Sequence, residues 1–426
     1  MQTTVFRFLL LVSPVFFLTV KHWTNVMVLV LFMGATQYLW TTRKIRASAS
    51  DASPWLWGVS CMLGAPFAAI AISQYLRGAF YAPNWDAPFR WVLCIPIFMA
   101  LASGWLHFPQ RKSLVQTWLV WVLPITLLWT LFFRVNWPTT SWGPELTTYF
   151  VDPLTFGSYN LLFALLVVLG LTFYWSALSW PRRLLSALAI VSGLYLSLTS
   201  GTRTGWLNLP VFVCLWTFLL LKPWLGTQKA LLSLAVFALA LVGISLQNSY
   251  VASKFVIAWT EISQYHMNAM NADTSVGLRL SFYRMGLAYF LENPLMGWGD
   301  LGWMLRMHQP QFMEYASEFA RQGPQHGFHN EIITNAVRSG IWGLLASVGF
   351  FSVVFVRALQ GLRLGSGGAH RVISVTLLVC ISHWFIAGLT TEITNLVFLS
   401  SFIGLTVAVL LGEQLYLENK PQLLAA

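Results

Sequence analysis

Three arginines and one histidine carry the chemistry this sequence can offer. Arg203 lies in the stretch LTSGTRTGW, just after an apolar run, in a turn built from Thr199, Ser200, Gly201, Thr202, Thr204 and Gly205. Hydroxyls and accessible backbone N–H groups around a guanidinium suit a phosphate. An arginine snorkelling at a membrane surface is the plainer reading of the same residue. Arg279 and Arg284 fall in LRLSFYRMGLAYFLEN (278–293), whose apolar spacing predicts an interfacial or re-entrant helix. Five residues apart, they leave that helix from different faces, so at most one enters a given cavity. Arg279 follows Gly277 at the helix start, where the dipole and unpaired N–H groups favour an anion. Arg284 fits a solvated or structural position. His329 opens a further predicted helix, and at 100° per residue Gly340 lies about 20° from it on the helix face, with Gly343 about 40° to the other side. Small residues in a stripe admit a close helix neighbour. The dipole at a helix N-terminus opposes protonation, and a neutral imidazole is the form that accepts a proton.

Other polar residues offer less. His326 and His329, with Glu331 close by, have the spacing of a metal-ligand pair. Gly327 between them and the lack of a second ligand cluster argue against that reading. No Asp-x-Asp pair, the usual holder of a divalent cation on a sugar nucleotide, occurs in the chain. Asp152 and Glu392 could orient a base or a sugar hydroxyl, or sit as solvated loop residues. Cys61, Cys94, Cys214 and Cys380 all lie in apolar runs and read as small buried hydrophobes.

The elements that must hold these residues are membrane helices. Of 426 residues, 57% are hydrophobic and only 9% charged, with 22 Trp and a mean hydropathy of +0.65. A soluble domain carries roughly 25% charged residues, so soluble, secreted and fibrous classes are excluded. Twelve apolar stretches run near 5–20, 26–41, 55–76, 89–107, 114–135, 159–180, 184–199, 207–222, 230–247, 329–356, 372–390 and 394–413. The first two are short and could form a hairpin that does not fully cross. The N-terminal run resembles a signal peptide but lacks a small-x-small cleavage pattern, and reads as a retained first helix. The net charge is +11, and its placement matters more than its size. With the N-terminus inside, the inside loops hold or border 12 basic residues, from Arg43 to Arg371. The short outside loops carry mainly Lys21, Arg77, Arg134 and Arg203. This asymmetry supports twelve spans with both termini cytoplasmic. The expected fold is therefore an all-α polytopic membrane protein. Residues 1–247 form spans one to nine, 248–328 a long outside loop with short helices, and 329–426 spans ten to twelve with a cytoplasmic tail. Within the loop, helices are expected over 278–293 and 309–321.

In order and location these segments resemble the O-antigen ligase and polymerase superfamily of bacterial inner membranes. The T-S-x-x-R turn at Thr199–Arg203 comes first, then G-x-R at Gly277–Arg279 leading to N-P-L-M-G-W-G at Asn293–Gly299. Last comes H-N-x9-G-x-x-G, read as His329, Asn330, Gly340 and Gly343. The resemblance covers roughly residues 190–350. It implies a GT-C-like glycosyltransferase with a lipid-linked donor. Such an enzyme moves a glycan from undecaprenyl diphosphate to an acceptor in the periplasm, without a metal or other cofactor. In a ligase the acceptor is a sugar hydroxyl of lipid A-core. On this chain His329 matches the family's essential histidine, and Arg203 and Arg279 its essential arginines, with Asn330, Thr202, Arg284 and His326 as supporting residues. The turn reads Ser-Gly-Thr-Arg where many relatives have Ser directly before the arginine. The single long loop directly before the His329 span favours ligase over polymerase by analogy. A transporter or flippase would call for repeats and ionisable residues at mid-membrane depth, and the spans are almost free of them. A scaffold without catalysis gives no reason for His329, Arg203 and Arg279 to share one face.

Overall fold

The structure, a computed structural model, describes residues 2–42, 54–107, 113–137, 145–247, 249–266, 269–364 and 368–425. Every regular element among the described residues is helical. In chain order the main helices are α1 (Gln2–Val12), α2 (Trp23–Thr42), α3 (Pro54–Arg77), α4 (Asp86–Ala102), α5 (Leu114–Asn136), α6 (Pro153–Tyr174), α7 (Trp180–Thr199), α8 (Asn208–Trp216), α9 (Lys222–Gln247), α10 (Ser249–Ser263), α11 (Ser275–Glu292), α12 (Glu331–Leu364), α13 (Ala369–Gly388) and α14 (Val397–Ala425). Seven segments among the described residues are long and apolar enough to cross a bilayer; they contain α3, α4, α5, α6, α12, α13 and most of α14. The chain is thus a helical, multi-pass membrane protein.

Several elements depart from the sequence-based expectation. The first apolar stretch is not one helix: α1 stops at Val12 and residues 13–22 run mainly as turns. At 1.5 Å per residue α1 rises about 16 Å, roughly half of a bilayer core. The helix expected over 309–321 is two short ones, Pro310–Met313 and Glu318–Gln322. Ser317 starts the second by accepting the N–H of Ala320 (3.0 Å), an N-cap that divides the segment. The tenth span begins at Glu331 rather than at His329, and it is interrupted at Gly340.

Two apolar cores result. The larger lies among the membrane helices, where α14 packs on α4, α6 on α7, and α12 on α3 and α13. Lipid tails are as apolar as these side chains, so packing and polar contacts decide the helix pairing. Phe17 stacks on Phe402 with ring centroids 4.0 Å apart, and Tyr159 and Phe163 meet the same Phe402 edge-on. Buried Glu413 of α14 accepts the N–H groups of Leu114 and Val115 (3.0 Å each), fixing the start of α5. The smaller core is a cap over one end of α12. Phe282, Met285 and Tyr289 of α11 meet Trp303, Phe312, Tyr315, Phe328 and Val337 there. The residues singled out for chemistry lie where this cap meets the bundle.

Candidate active site

The start of α12 is an N-cap. The Asn330 side-chain carbonyl accepts the N–H groups of Ile332 (3.0 Å) and Ile333 (3.1 Å), pairing two donors that no helical carbonyl reaches. His329 therefore stands just outside the helix. It has φ +48°, a left-handed conformation uncommon for any residue but glycine. Its half-buried ring stacks on Phe282, with centroids 5.6 Å apart and planes 24° from parallel. The conformation is held from below by Glu392. That carboxylate is buried, accepts the Thr334 hydroxyl (2.9 Å), and faces the backbone N–H groups of His329 and Asn330. Burial raises its pKa, and these donors oppose the rise. A Cβ at Gly327 would come within 2.4 Å of the same carboxylate, and Gly327 has φ +115°, so the chain fits over Glu392 only without a side chain there. Glu392 is thus no solvated loop residue. Its sequence neighbours gave no sign of a partner 63 residues away from it.

Arg279 sits in the first turns of α11, which Thr274 caps by accepting the Gly277 N–H (3.1 Å). The guanidinium donates to the Ser275 carbonyl (3.1 Å) and hydroxyl (2.8 Å). Its pKa is lowered first by burial and also by the positive charge of Arg203, against the opposing pull of Tyr283 and Glu261. Arg203, 76 positions away in the chain, thus lies close enough for its charge to act on Arg279. Two like charges sharing a half-buried site favour an anion between them. Tyr283, one turn beyond Arg279, was missed from sequence. Its hydroxyl hydrogen-bonds the Asn330 side chain and donates to the Leu389 carbonyl. It thus ties the helix that carries Arg279 to the cap that carries His329. The signal was available in the four-residue spacing, which puts Tyr283 beside Arg279 on α11.

Other expected participants lie elsewhere. Arg284 stacks over the Tyr315 ring at 3.6 Å, within the cap. The Thr202 hydroxyl pairs with Ser200 (3.1 Å), and a Cβ at Gly157 of α6 would come within 2.4 Å of it. Its role is to seat the Arg203 turn on α6. The side chain of His326 lies outside the described residues. Glu331 does not face the histidine pair: it accepts the Thr394 N–H (3.0 Å) and hydroxyl and the Asn335 amide (2.5 Å). Asp152 caps α6, accepting the Thr155 N–H at 2.9 Å.

Gly340 and Gly343 do not form a stripe beneath His329. Gly340 has φ +61° and ψ −145°, which breaks α12 and frees carbonyls of the preceding turn. The segment Asn293–Gly299 fills that gap. Trp298 N–H donates to Val337 (2.8 Å), Gly299 N–H to Arg338 (2.9 Å), and Ile341 N–H returns to Pro294 (2.6 Å). The contact is backbone to backbone: a Cβ at Gly297 would come within 2.5 Å of the Gly340 nitrogen, and one at Gly340 within 2.6 Å of the Pro294 carbonyl. The Ser73 hydroxyl of α3 donates to the Met296 carbonyl, and Arg338 pairs with Asp300 (3.4 Å). The two glycine motifs thus meet each other.

Residues 187–348, from within α7 to just past this break, match the model of the O-Antigen ligase family. The match covers well under half of the chain and is consistent with the O-antigen ligase superfamily. It contains Arg203, Arg279, Tyr283 and His329 together. A protein of Haemophilus influenzae, described only as uncharacterized, is 25% identical over 171 residues, which is 40% of this chain. The aligned part covers 42% of that relative's length. Members of the ligase family are glycosyltransferase-like enzymes that transfer glycans.

Proposed function

We propose that this protein is an O-antigen ligase: it moves the O-antigen glycan from undecaprenyl diphosphate to a sugar hydroxyl of lipid A-core, at the periplasmic face of the inner membrane. The observation that supports the reading is that α11 carries both Arg279, within range of the charge of Arg203, and Phe282, on which the His329 ring stacks. As the glycosidic bond to the diphosphate breaks, negative charge grows on the leaving oxygens. Two guanidiniums stabilise that charge through bidentate contacts, in the place a divalent cation takes elsewhere. His329 takes the proton from the acceptor hydroxyl while its oxygen attacks the anomeric carbon, a role worth about 10²–10⁴ in rate. One displacement opposite the leaving group inverts that carbon, and the proton leaves on the imidazole. Asn330, Tyr283 and Glu392 position the histidine and touch no reacting atom. In this reading the chain crosses the membrane twelve times with both termini in the cytoplasm, and residues 248–328 cover the site from the periplasm.

The test is a lipopolysaccharide gel of a deletion strain complemented with wild type or with His329→Ala. Wild type should restore the long O-antigen ladder. The variant should leave bare core and accumulated lipid-linked polymer. Core capped by a single repeat in the deletion strain would make the protein a polymerase, and a ladder unchanged by the deletion would end both readings.

A further inference from the structure

One face of α11 is left exposed among the described residues. Leu280, Leu287 and Leu291 fall within about 40° on the helix wheel. Leu287 and Leu291 are 56% and 66% exposed, and Leu295, just beyond the helix, is 65% exposed. The opposite face, Phe282, Met285 and Tyr289, is buried in the cap. Tyr283 and Arg279 border the exposed leucines on one side, and Arg284 on the other. This is the pattern of a helix lying in a membrane interface, with its apolar stripe inward and its polar groups at the edges.

The occupant follows from what the stripe adjoins. The bond from Ser73 to the Met296 carbonyl places Leu295 and Met296 against the end of α3. There Ile72, Tyr75 and Leu76 are 36%, 74% and 45% exposed. Because α3 is long and apolar enough to cross a bilayer, lipid is the surrounding that suits those exposed side chains. Leu295 lies four positions beyond Leu291, with Glu292 turned aside to pair with Arg306 (3.0 Å), so exposed leucines lead from the end of α3 to the α11 stripe.

We infer that α11 lies in the surface of the bilayer, with Leu287, Leu291 and Leu295 in contact with phospholipid chains and Arg279 and Tyr283 at headgroup depth beside them. Resting on the reading above, this delivers a lipid-linked diphosphate to Arg279 sideways, along the membrane plane, with its tail against the leucine stripe.

The experiment uses the full chain, with the exposed cysteines Cys61 and Cys214 replaced by alanine. Single probes are placed at Leu291→Cys, Tyr75→Cys and Glu314→Cys and labelled with bimane. Each protein is reconstituted into phosphatidylcholine–phosphatidylglycerol vesicles, with or without acyl chains brominated near the glycerol end. Emission at positions 291 and 75 should fall roughly two-fold in brominated vesicles, while position 314, exposed on the cap, should not respond. Position 291 behaving like 314 would overturn the inference. So would emission at 291 that is blue-shifted but unquenched, because a second protein copy would then cover the stripe. Quenching needs no glycan transfer, so an unchanged ladder in the deletion strain would end the ligase reading and leave this inference standing.

Discussion

Around α14 the helices meet side chain to side chain: Phe17 lies on Phe402, and Tyr159 and Phe163 fill the angles between them. Around Gly340 the contact is backbone to backbone, with Gly297 against Gly340 and two loop N–H groups on the carbonyls of Val337 and Arg338. The first kind of contact depends on volume, which neighbours can share when one residue changes. The second depends on the absence of single atoms and on hydrogen bonds that nothing else can make in an apolar surrounding. A membrane protein of this build can drift in its bundle while its cap stays fixed at a few positions.

The sharpest division falls within the cap, on α11 itself. Arg279→Ala should lower the glycan-transfer rate by about 10², the scale for losing one charge-stabilising donor. Arg284→Ala, which removes the contact with the Tyr315 ring, should stay within a few-fold of wild type. Single-turnover transfer with purified lipid-linked donor separates them, and equal losses would erase the distinction between the two arginines. A comparison across the two regions comes next. Gly340→Ala adds one methyl group against the Pro294 carbonyl at a positive φ, and should cost about 3 kcal/mol. Phe17→Leu, which removes several carbons from the bundle, should cost about 1–1.5 kcal/mol. Thermal unfolding in detergent reads both, and a larger loss at Phe17 would reverse the contrast. Asn330→Ala removes the cap of α12 and should cost about 1 kcal/mol, with a fall in kcat larger than any change in KM, as expected where His329 is mispositioned.

The smallest effect is one of slope. Burial raises the pKa of Glu392 above its ordinary value of 4.5, so above that pH the folded state holds a proton that the unfolded chain has released. The stability this proton provides is complete below 4.5 and is lost as pH rises through the folded-state pKa. Glu392→Gln should therefore flatten the decline of Tm on the alkaline side of 4.5. An unchanged slope would show that another group carries it.

Much of this was readable before the fold was known. Apolar runs placed most of the membrane helices, because a helix in lipid must be apolar along its length. The order of the motifs singled out Arg203, Arg279 and His329 as the proposed site, since each is a costly residue in a small-residue setting. Pairwise facts across the chain were out of reach. Nothing near Glu392 tells that it lies under His329. An uninterrupted 3.6-residue count across Gly340 put both motif glycines on a helix face, whereas a positive φ there ends the count. Tyr283 went unnoticed because an aromatic residue on an apolar helix resembles its neighbours until its hydroxyl is seen to bond Asn330.

The break in α12 also bears on how the chain can be altered. The carbonyls of Val337 and Arg338 accept the N–H groups of residues 298 and 299, which leave the ribosome some forty positions earlier. When α12 settles into the membrane, its partner segment is already made and waiting. Residues 294–299 look like a connector between helices, the usual place for an inserted tag or a shortened loop. Here a cut or an insertion would strip the buried Val337 carbonyl of the Trp298 N–H and leave Arg338 with the longer Ser73 bond, and an unpaired buried acceptor costs several kcal/mol. Epitope tags and topology reporters belong in other connections of this chain.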